Sequence, residues 1–329
     1  MRALESYLNS VWYGDTGGAW LRPLGALYAS AMSLRSAAYR RGWRDVYRAP
    51  CPVIVVGNYT AGGAGKTPLV IALSQRLRSL GCRPGIISRG YGGTVTSDQA
   101  FLVDPASDAS VVGDEPLLMA RRTQAPVAVC PDRRKAVECV TAQGANVIVA
   151  DDGLQHLALA RDANIVVIDG ERGLGNERCL PAGPLRGRVI DAPDADLKMI
   201  NGGPVSDAPQ MKLIATHARQ LDSKQCIPLS GWVGSPVHAV AGIGNPSRFF
   251  DTLRGAGIDV IEHPYADHAR LTRADVSFDD DLPVLMTEKD AVRFSEAPHK
   301  RCFDVPADVE FNAAASAALV ELCAQWGSE

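Results

Sequence analysis

The 329-residue chain carries 34 Lys and Arg against 37 Asp and Glu, a formal net charge of −3, with 46% apolar and 22% charged residues. That profile belongs to a globular chain long enough for a substantial core, and it excludes disorder, collagen and coiled coil. It also lacks the broad basic field that holds a nucleic-acid backbone, so no nucleic-acid partner is expected.

The charge is uneven along the chain. Residues 1–50 hold seven arginines and three acids, a balance of +4 that leaves −7 for the rest, and 8 of the 20 aromatic side chains, all Tyr or Trp. Leu24, Leu27, Tyr28, Ala31, Leu34 and Ala38 fall on one helical face, and Arg35, Arg40, Arg41, Arg44 and Arg48 follow. Such a helix either lies on an anionic leaflet or packs on the core. The uncharged run 23–34 is too short to span a bilayer and lacks the layout of a signal peptide, which predicts a cytosolic protein. Eight cysteines (51, 82, 130, 139, 179, 226, 302 and 323) show no metal-ligand spacing and read as reduced small hydrophobes.

From Val53 onward, short β-branched runs at 53–56, 86–88, 127–130, 147–150 and 165–168 alternate with helical stretches. Continuous apolar strands need burial on both faces, so the spacing predicts βαβ units in a parallel sheet with helices on both sides. Residues 204–236 lose this rhythm and read as a connector. A second series at 237–241, 260–262 and 284–286 predicts a smaller C-terminal α/β domain over 237–329, with 51–203 as the first domain and 1–50 as an amphipathic segment. Ligands in such folds sit at the carboxyl ends of the strands, here in a cleft between two domains.

After the first strand comes Asn58-Tyr59-Thr60-Ala61-Gly62-Gly63-Ala64-Gly65-Lys66-Thr67, followed by a helical stretch from Pro68. This matches GxxxxGK[ST] with Thr60 in place of the first Gly. Small residues let successive backbone N–H groups converge on phosphate oxygens while the helix N-terminus adds its dipole. Residues Thr60 to Thr67 are therefore the expected ATP-binding loop, with Lys66 on the β- and γ-phosphates and the Thr67 hydroxyl on Mg²⁺. Asp151 and Asp152 close the strand at 147–150 and are the Mg²⁺-holding carboxylates expected opposite the loop.

A P-loop serves switches, motors and kinases alike. The guanine-reading [NT]KxD motif is missing, since Thr287-Glu288-Lys289-Asp290 has the wrong spacing. Candidate acid–base and phosphate-contacting groups stand after the predicted strands, in SRGYGG, GDEP, PDRR and DDGLQH, and in Tyr265-Ala266-Asp267-His268 of the second domain. Taken singly each has a plain structural reading, as a surface ion-pair partner, a helix cap or a buried histidine.

The ordered set TAGGAGKTP, SRGYGG, GDEP, PDRR, DDGLQH, LPAGPLR, NGGP, GIGNPSRFF and MTEKDAVR closely resembles the tetraacyldisaccharide 4'-kinase family of lipid A biosynthesis, from about Trp20 to Arg293. The resemblance implies transfer of the ATP γ-phosphate to the 4'-hydroxyl of an acylated glucosamine disaccharide 1-phosphate, forming lipid IVA. It implies Mg²⁺ as cofactor, no required protein partner, and work at the cytoplasmic face of a bacterial inner membrane. By motif it assigns Asp114 as catalytic base with His268 as its partner, and Arg89, Tyr91, Arg133, Gln155, His156 and Arg186 as contacts to phosphates or disaccharide. A substrate with four acyl chains favours the membrane reading of the first fifty residues. Three departures from the family pattern stand out: Gly187 where an acid is expected, so that side chain's contact is absent or comes from elsewhere, for instance Asp191 or Asp194; Asn176-Glu177 in place of Asn-Gly; and Ala269 in place of a second His. The competing reading is a P-loop ATPase or nucleotide-dependent chaperone acting on a protein.

Overall fold

The structure, a computed structural model, describes residues 2–14, 17–95, 99–267 and 269–326. Two helices lead, α1 (Arg2–Tyr13) and α2 (Arg22–Arg40). The P-loop region then alternates β1 (Val53–Gly57), α3 (Lys66–Ser79), β2 (Pro84–Ser88), β3 (Phe101–Leu102), α4 (Ala109–Val112), α5 (Asp114–Thr123), β4 (Val127–Val129), α6 (Arg133–Ala142), β5 (Val147–Asp151) and β6 (Ala163–Asp169). Next come β7 (Leu197–Asn201), β8 (Gln210–Ile214), β9 (His217–Gln220), β10 (Cys226–Pro228), β11 (Pro236–Ala241), α7 (Pro246–Gly255) and β12 (Asp259–Pro264). The chain ends with β13 (Val284–Thr287), α8 (Glu288–Ala291), β14 (Cys302–Val305), β15 (Asp308–Phe311) and α9 (Ala313–Ala324).

Nine strands form the first sheet in the order β15-β8-β7-β6-β1-β5-β2-β4-β3. It is parallel except at its two margins, where β15 runs against β8 and β3 against β4. Strands β1, β2 and β5 are buried along their whole length, because helices cover both faces. On one face Leu69, Leu73 and Leu77 of α3 pack with Leu117 of α5 and Leu319 of α9. On the other, Ala136, Val137 and Val140 of α6 meet Ala29 of α2. Each large apolar side chain so enclosed stabilises the fold by about 1.5–3 kcal/mol.

The second sheet has six strands in the order β10-β9-β14-β13-β11-β12. Its centre is parallel, and β9 joins antiparallel to both β14 and β10. Phe250 and Leu253 of α7 pack on one face, and Leu271, Val276 and Ala291 on the other.

The α/β class with parallel sheets is as the sequence predicts, but the division of the chain is not. Residues 204–236 are more than a connector: β8 extends the first sheet, and β9 and β10 build the edge of the second. The last strand and helix, β15 and α9, return to the first sheet, so the smaller domain is an insertion closed off by the chain's return, not the whole of 237–329. The strands near the sheet edge hide this from the sequence because they mix polar and apolar residues, as strands covered on one side do; β8, one strand in from the edge, reads QMKLI with Met211 buried and Lys212 exposed.

Helix α2 has two characters. Its inner side is fixed to the body, where Tyr28 donates its hydroxyl proton to the Arg186 carbonyl at 3.2 Å and Ser36 Oγ donates to the Asp191 carbonyl at 2.6 Å. Its outer side presents Leu24, Leu27 and Leu34 to solvent, at 50%, 70% and 66% exposure, beside Trp20 and Ile190. Among the described residues, no helix is long and apolar enough to cross a membrane.

Candidate active site

Strand order brings the chemistry together. The carboxyl ends of β2, β5, β1, β6 and β7 lie side by side and end in Ser88, Asp151, the P-loop, Asp169 and Asn201. The carboxyl ends of β11, β12 and β13 in the second sheet supply Gly242, the loop through Asp267, and α8. The two sets meet directly: a Cβ at Gly244 would lie 3.4 Å from the Gly63 nitrogen.

The P-loop bends sharply into α3 through Gly65, whose φ of +89° and lack of Cβ are both required. A Cβ there would lie 2.2 Å from Asn201 Nδ2, which donates to the Ala64 carbonyl at 2.9 Å and braces the loop from β7. At the crest, a Cβ on Gly62 or Gly63 would meet nothing within 4 Å. The crest is therefore an open cradle of backbone at a helix N-terminus, the geometry that takes a phosphate. Thr60 and Ala61 are pinned beside the 184–186 segment, where Ala61 N–H donates to the Pro184 carbonyl at 2.7 Å. Lys66 Nζ donates to Asn58 Oδ1 at 3.1 Å and lies 3.5 Å from Asp152. Thr67 sits half-buried in the first turn of α3.

The two aspartates differ in state. Asp151 is fully enclosed, accepts a hydrogen bond from Ser88 Oγ at 3.2 Å, and has its other oxygen, Oδ1, without a partner among the described residues. Burial, then the negative charges of Glu115 and Asp152, raise its pKa to about 7, against the pull of Lys66 and Arg133. Burial works the same way on Asp152, but Lys66, Arg186 and Arg133 outweigh it and hold the carboxyl below its ordinary range. Arg186 Nη1 reaches both Asp152 oxygens, at 2.8 and 2.7 Å.

An unpartnered buried carboxylate oxygen beside a triphosphate cradle suits a divalent cation. Among the described residues no three His, Cys, Asp or Glu groups form a closed metal cage. Two carboxylates and the Thr67 hydroxyl suit Mg²⁺, which keeps waters and phosphate oxygens among its ligands.

Arg133 is fully buried at the start of α6, and its Nη2 donates to the Asp151 carbonyl at 2.7 Å. Gln155 Nε2 donates to the Asn58 carbonyl at 2.8 Å. Burial, then Arg133, Arg161 and Arg35, push the His156 imidazole down to about 4, so at neutral pH it is uncharged and able to accept a hydrogen bond. His156, Arg133, Arg134 and Tyr47 line a cleft of 380 Å³. Arg89 and Tyr91 stand exposed beyond β2, and the Arg89 charge is felt at Arg133.

Asp114 opens α5. Gly113 before it takes φ +91°, and a Cβ there would lie 2.7 Å from the Tyr91 carbonyl, so only glycine makes this turn. The Asp114 carboxylate is 5% exposed. Its Oδ1 accepts the Glu115 N–H at 3.0 Å, and its Oδ2 accepts from Arg293 Nη2 at 2.8 Å and Nε at 3.3 Å. Next to it Lys289 Nζ bonds Glu115 at 2.9 Å and Asp267 at 3.4 Å. Burial opposes the charge on Lys289, yet Glu115, Asp114 and Asp267 outweigh it and hold its pKa above the usual lysine value. His268 lies outside the described residues; its neighbour Ala269 offers its carbonyl to Arg293 Nη1 at 2.9 Å.

Asp191 lines the same pocket as Arg186 and Gly187. Its side chain accepts from Ser33 Oγ at 2.5 Å and lies 3.5 Å from Arg40, which ties it to α2. Asp194 is exposed, and its carbonyl accepts from Asn164. Glu177 occupies the left-handed region at φ +57°, a conformation that glycine takes at no steric cost. The residues that sequence reasoning left without a role are Asn201, Lys289 and Arg293. They sit inside the quoted strings NGGP and MTEKDAVR, and their partners are remote in the chain.

A family model described as tetraacyldisaccharide-1-P 4'-kinase matches residues 18–324. A relative named tetraacyldisaccharide 4'-kinase from Stenotrophomonas maltophilia is 46% identical over 94% of both chains. Another of that name from Nitrosococcus oceani is 43% identical over 99% of this chain and 96% of its own. Among solved structures, the chain is similar to a crystal structure of LpxK from Aquifex aeolicus, described as an "apo" form in complex with ATP. That match has a TM-score of 0.76 and 27% identity, and covers 93% of this chain and 98% of that one. With matches of this length and an intact P-loop cleft, the chain belongs to the tetraacyldisaccharide-1-P 4'-kinase family.

Proposed function

We infer that this chain is an ATP-dependent kinase that phosphorylates the 4'-hydroxyl of a tetraacyldisaccharide 1-phosphate, forming lipid IVA in lipid A synthesis. The observation that carries the reading is an open P-loop beside the Asp151–Asp152 pair, with the charge of Glu115, next to Asp114, felt at Asp151 and the Gly242–Gly244 turn reaching both Gly63 and Arg293.

In this reading the crest Thr60 to Thr67 wraps the phosphates, and Lys66 exchanges Asn58 for the β- and γ-phosphate oxygens. Asp151, Asp152 and Thr67 would hold Mg²⁺, which would supply charge neutralisation at the phosphate oxygens. Asp114 takes the proton of the attacking hydroxyl, with His268 as its partner. Arg133, Gln155, His156 and Arg186 line the path toward the disaccharide, and Arg89 and Tyr91 stand at its rim. Neutral His156 accepts from a sugar hydroxyl, and Arg186 both orders Asp152 and offers its remaining N–H groups to phosphate.

The outer face of α2 is the reading's membrane contact. Trp20, Leu24, Leu27 and Leu34 would enter the leaflet while Arg40, Arg41 and Arg44 meet its anionic head groups at the cytoplasmic face of the inner membrane. Because the opposite side of α2 is bonded to the body, the contact is tested by replacing Leu24, Leu27 and Leu34 together by Gln. The variant is expected to keep its melting temperature and lose liposome association. Unchanged liposome binding would refute the contact.

The kinase reading is tested by incubating the protein with γ-labelled ATP, Mg²⁺ and the acylated disaccharide 1-phosphate. Label in the lipid is the expected result. Steady ATP hydrolysis without label in the lipid would overturn it in favour of an ATPase.

A further inference from the structure

Arg293 is fully committed at the domain junction. A guanidinium has five N–H groups, and each finds an acceptor here. Nε donates to Asp114 Oδ2 at 3.3 Å; Nη1 donates to Asp290 Oδ1 at 2.6 Å and the Ala269 carbonyl at 2.9 Å; Nη2 donates to Asp114 Oδ2 at 2.8 Å and the Gly242 carbonyl at 3.2 Å. The side chain is 9% exposed.

Its frame is equally fixed. Asp290 has no exposed surface, and its Oδ2 accepts the Gly242 N–H at 2.9 Å and the Thr287 hydroxyl at 2.5 Å, while Thr287 caps α8 by accepting from the Asp290 N–H at 3.1 Å. Three elements of the small domain therefore set the plane of the guanidinium: the end of β11, the loop after β12, and α8. The first domain contributes one acceptor to it, the Asp114 carboxylate.

We propose that Arg293 is a positioning residue for phosphoryl transfer: its planar fork, set by the small domain, orients and ionises Asp114 at the start of α5. The proposal rests on Asp114 being the base. A carboxylate at the first turn of a helix has rotational freedom that a base aimed at one hydroxyl proton cannot use, and misplacement of a reacting group by about 1 Å can cost about a hundredfold in rate. Two N–H groups converging on Oδ2, with the Glu115 N–H on Oδ1, remove that freedom. Lysine cannot copy the arrangement, because an ammonium is a point charge without a fork.

The charged groups around Asp114 are Arg293, Lys289, Glu115, Asp267 and Asp290 among the described residues. Removing the Arg293 charge leaves Lys289 already shared between Glu115 and Asp267. Asp114 then sits buried among three other acids.

The test compares Arg293→Met, Arg293→Lys and Asp114→Asn with the wild type in kcat, ATP KM and the pH dependence of kcat/KM, with melting temperature followed in parallel. Arg293→Met is expected to lower kcat by about ten- to a hundredfold with ATP KM unchanged. It is also expected to move the acidic limb of the profile up by about one pH unit or more, because a carboxylate that loses a neighbouring cation holds its proton to higher pH. Arg293→Lys restores the position of that limb and not kcat. Wild-type kcat in either arginine variant, or a kcat loss in Arg293→Met with the limb unmoved, overturns the proposal. Should Arg293→Met fail to fold, Arg293→Lys decides it through kcat alone. An active Asp114→Asn removes the base assignment itself, a failure distinct from an inactive Asp114→Asn beside normal arginine variants.

Discussion

The two sides of the cleft are built in opposite ways. The phosphate side is a run of consecutive small residues whose crest faces open space, braced by Asn201 on one flank and by the 184–186 segment on the other. The base side is a dense buried set of ion pairs, in which Asp114, Glu115, Asp290, Arg293 and Lys289 satisfy one another across the domain junction. A ligand that brings its own charge, as a triphosphate does, is served by unencumbered backbone N–H groups. A carboxylate that must take a proton from one hydroxyl is served by fixed geometry, and buried charge is tolerated only when fully paired.

Substitutions can break this contrast from either side. The largest effect is expected for Asp114→Asn, which should lower turnover by about two to four powers of ten while leaving ATP affinity nearly unchanged, as single-turnover kinetics and nucleotide titration would register. A matching loss of ATP affinity would mean that the two sides are one unit. Asn201→Ala probes the brace. It leaves the buried Ala64 carbonyl without its donor and takes an acceptor from Arg248, so chemical denaturation should report a loss of about 1–3 kcal/mol. The accompanying rise in ATP KM should exceed any fall in kcat.

Asp151 sharpens the electrostatic half of the comparison. Its folded pKa of about 7 lies well above the ordinary carboxylate range, so the fold is penalised by ionising it. The stability it permits is complete below about pH 4 and is lost as pH rises through about 7. In a chelator, the melting temperature of Asp151→Asn should therefore gain on the wild type between those limits, and Mg²⁺ with nucleotide should narrow the gap. A constant difference across that range would show that Asp151 does not titrate there. The smallest effect is expected at Glu177→Gly, far from the ion pairs, where relieving a left-handed φ of +57° should raise stability by up to about 1 kcal/mol in denaturant melts.

How much could be read without coordinates follows the same divide. The strands at 53–56, 86–88, 127–130, 147–150 and 165–168 were visible because burial on both faces demands unbroken apolar runs, and each lies within or across an observed strand. The strands of residues 210–228 were not, because strands at or next to a sheet edge mix polar with apolar residues and resemble a connector. The string Thr287-Glu288-Lys289-Asp290, set aside as a guanine motif with the wrong spacing, caps α8 and supplies Lys289 and Asp290 to the junction.

The sequence by itself determined the strand, loop and helix that cradle phosphate, because that chemistry is made by ten neighbouring residues whose conformation depends on glycine and on helix start. It also determined the family, through motifs each contiguous in the chain. Only the tertiary structure decided what faces Asp114: the bond from Arg293 spans 179 residues. Ion pairing carries no spacing rule along a chain, and any of the 34 basic residues was an equal candidate until the sheets brought this one into place.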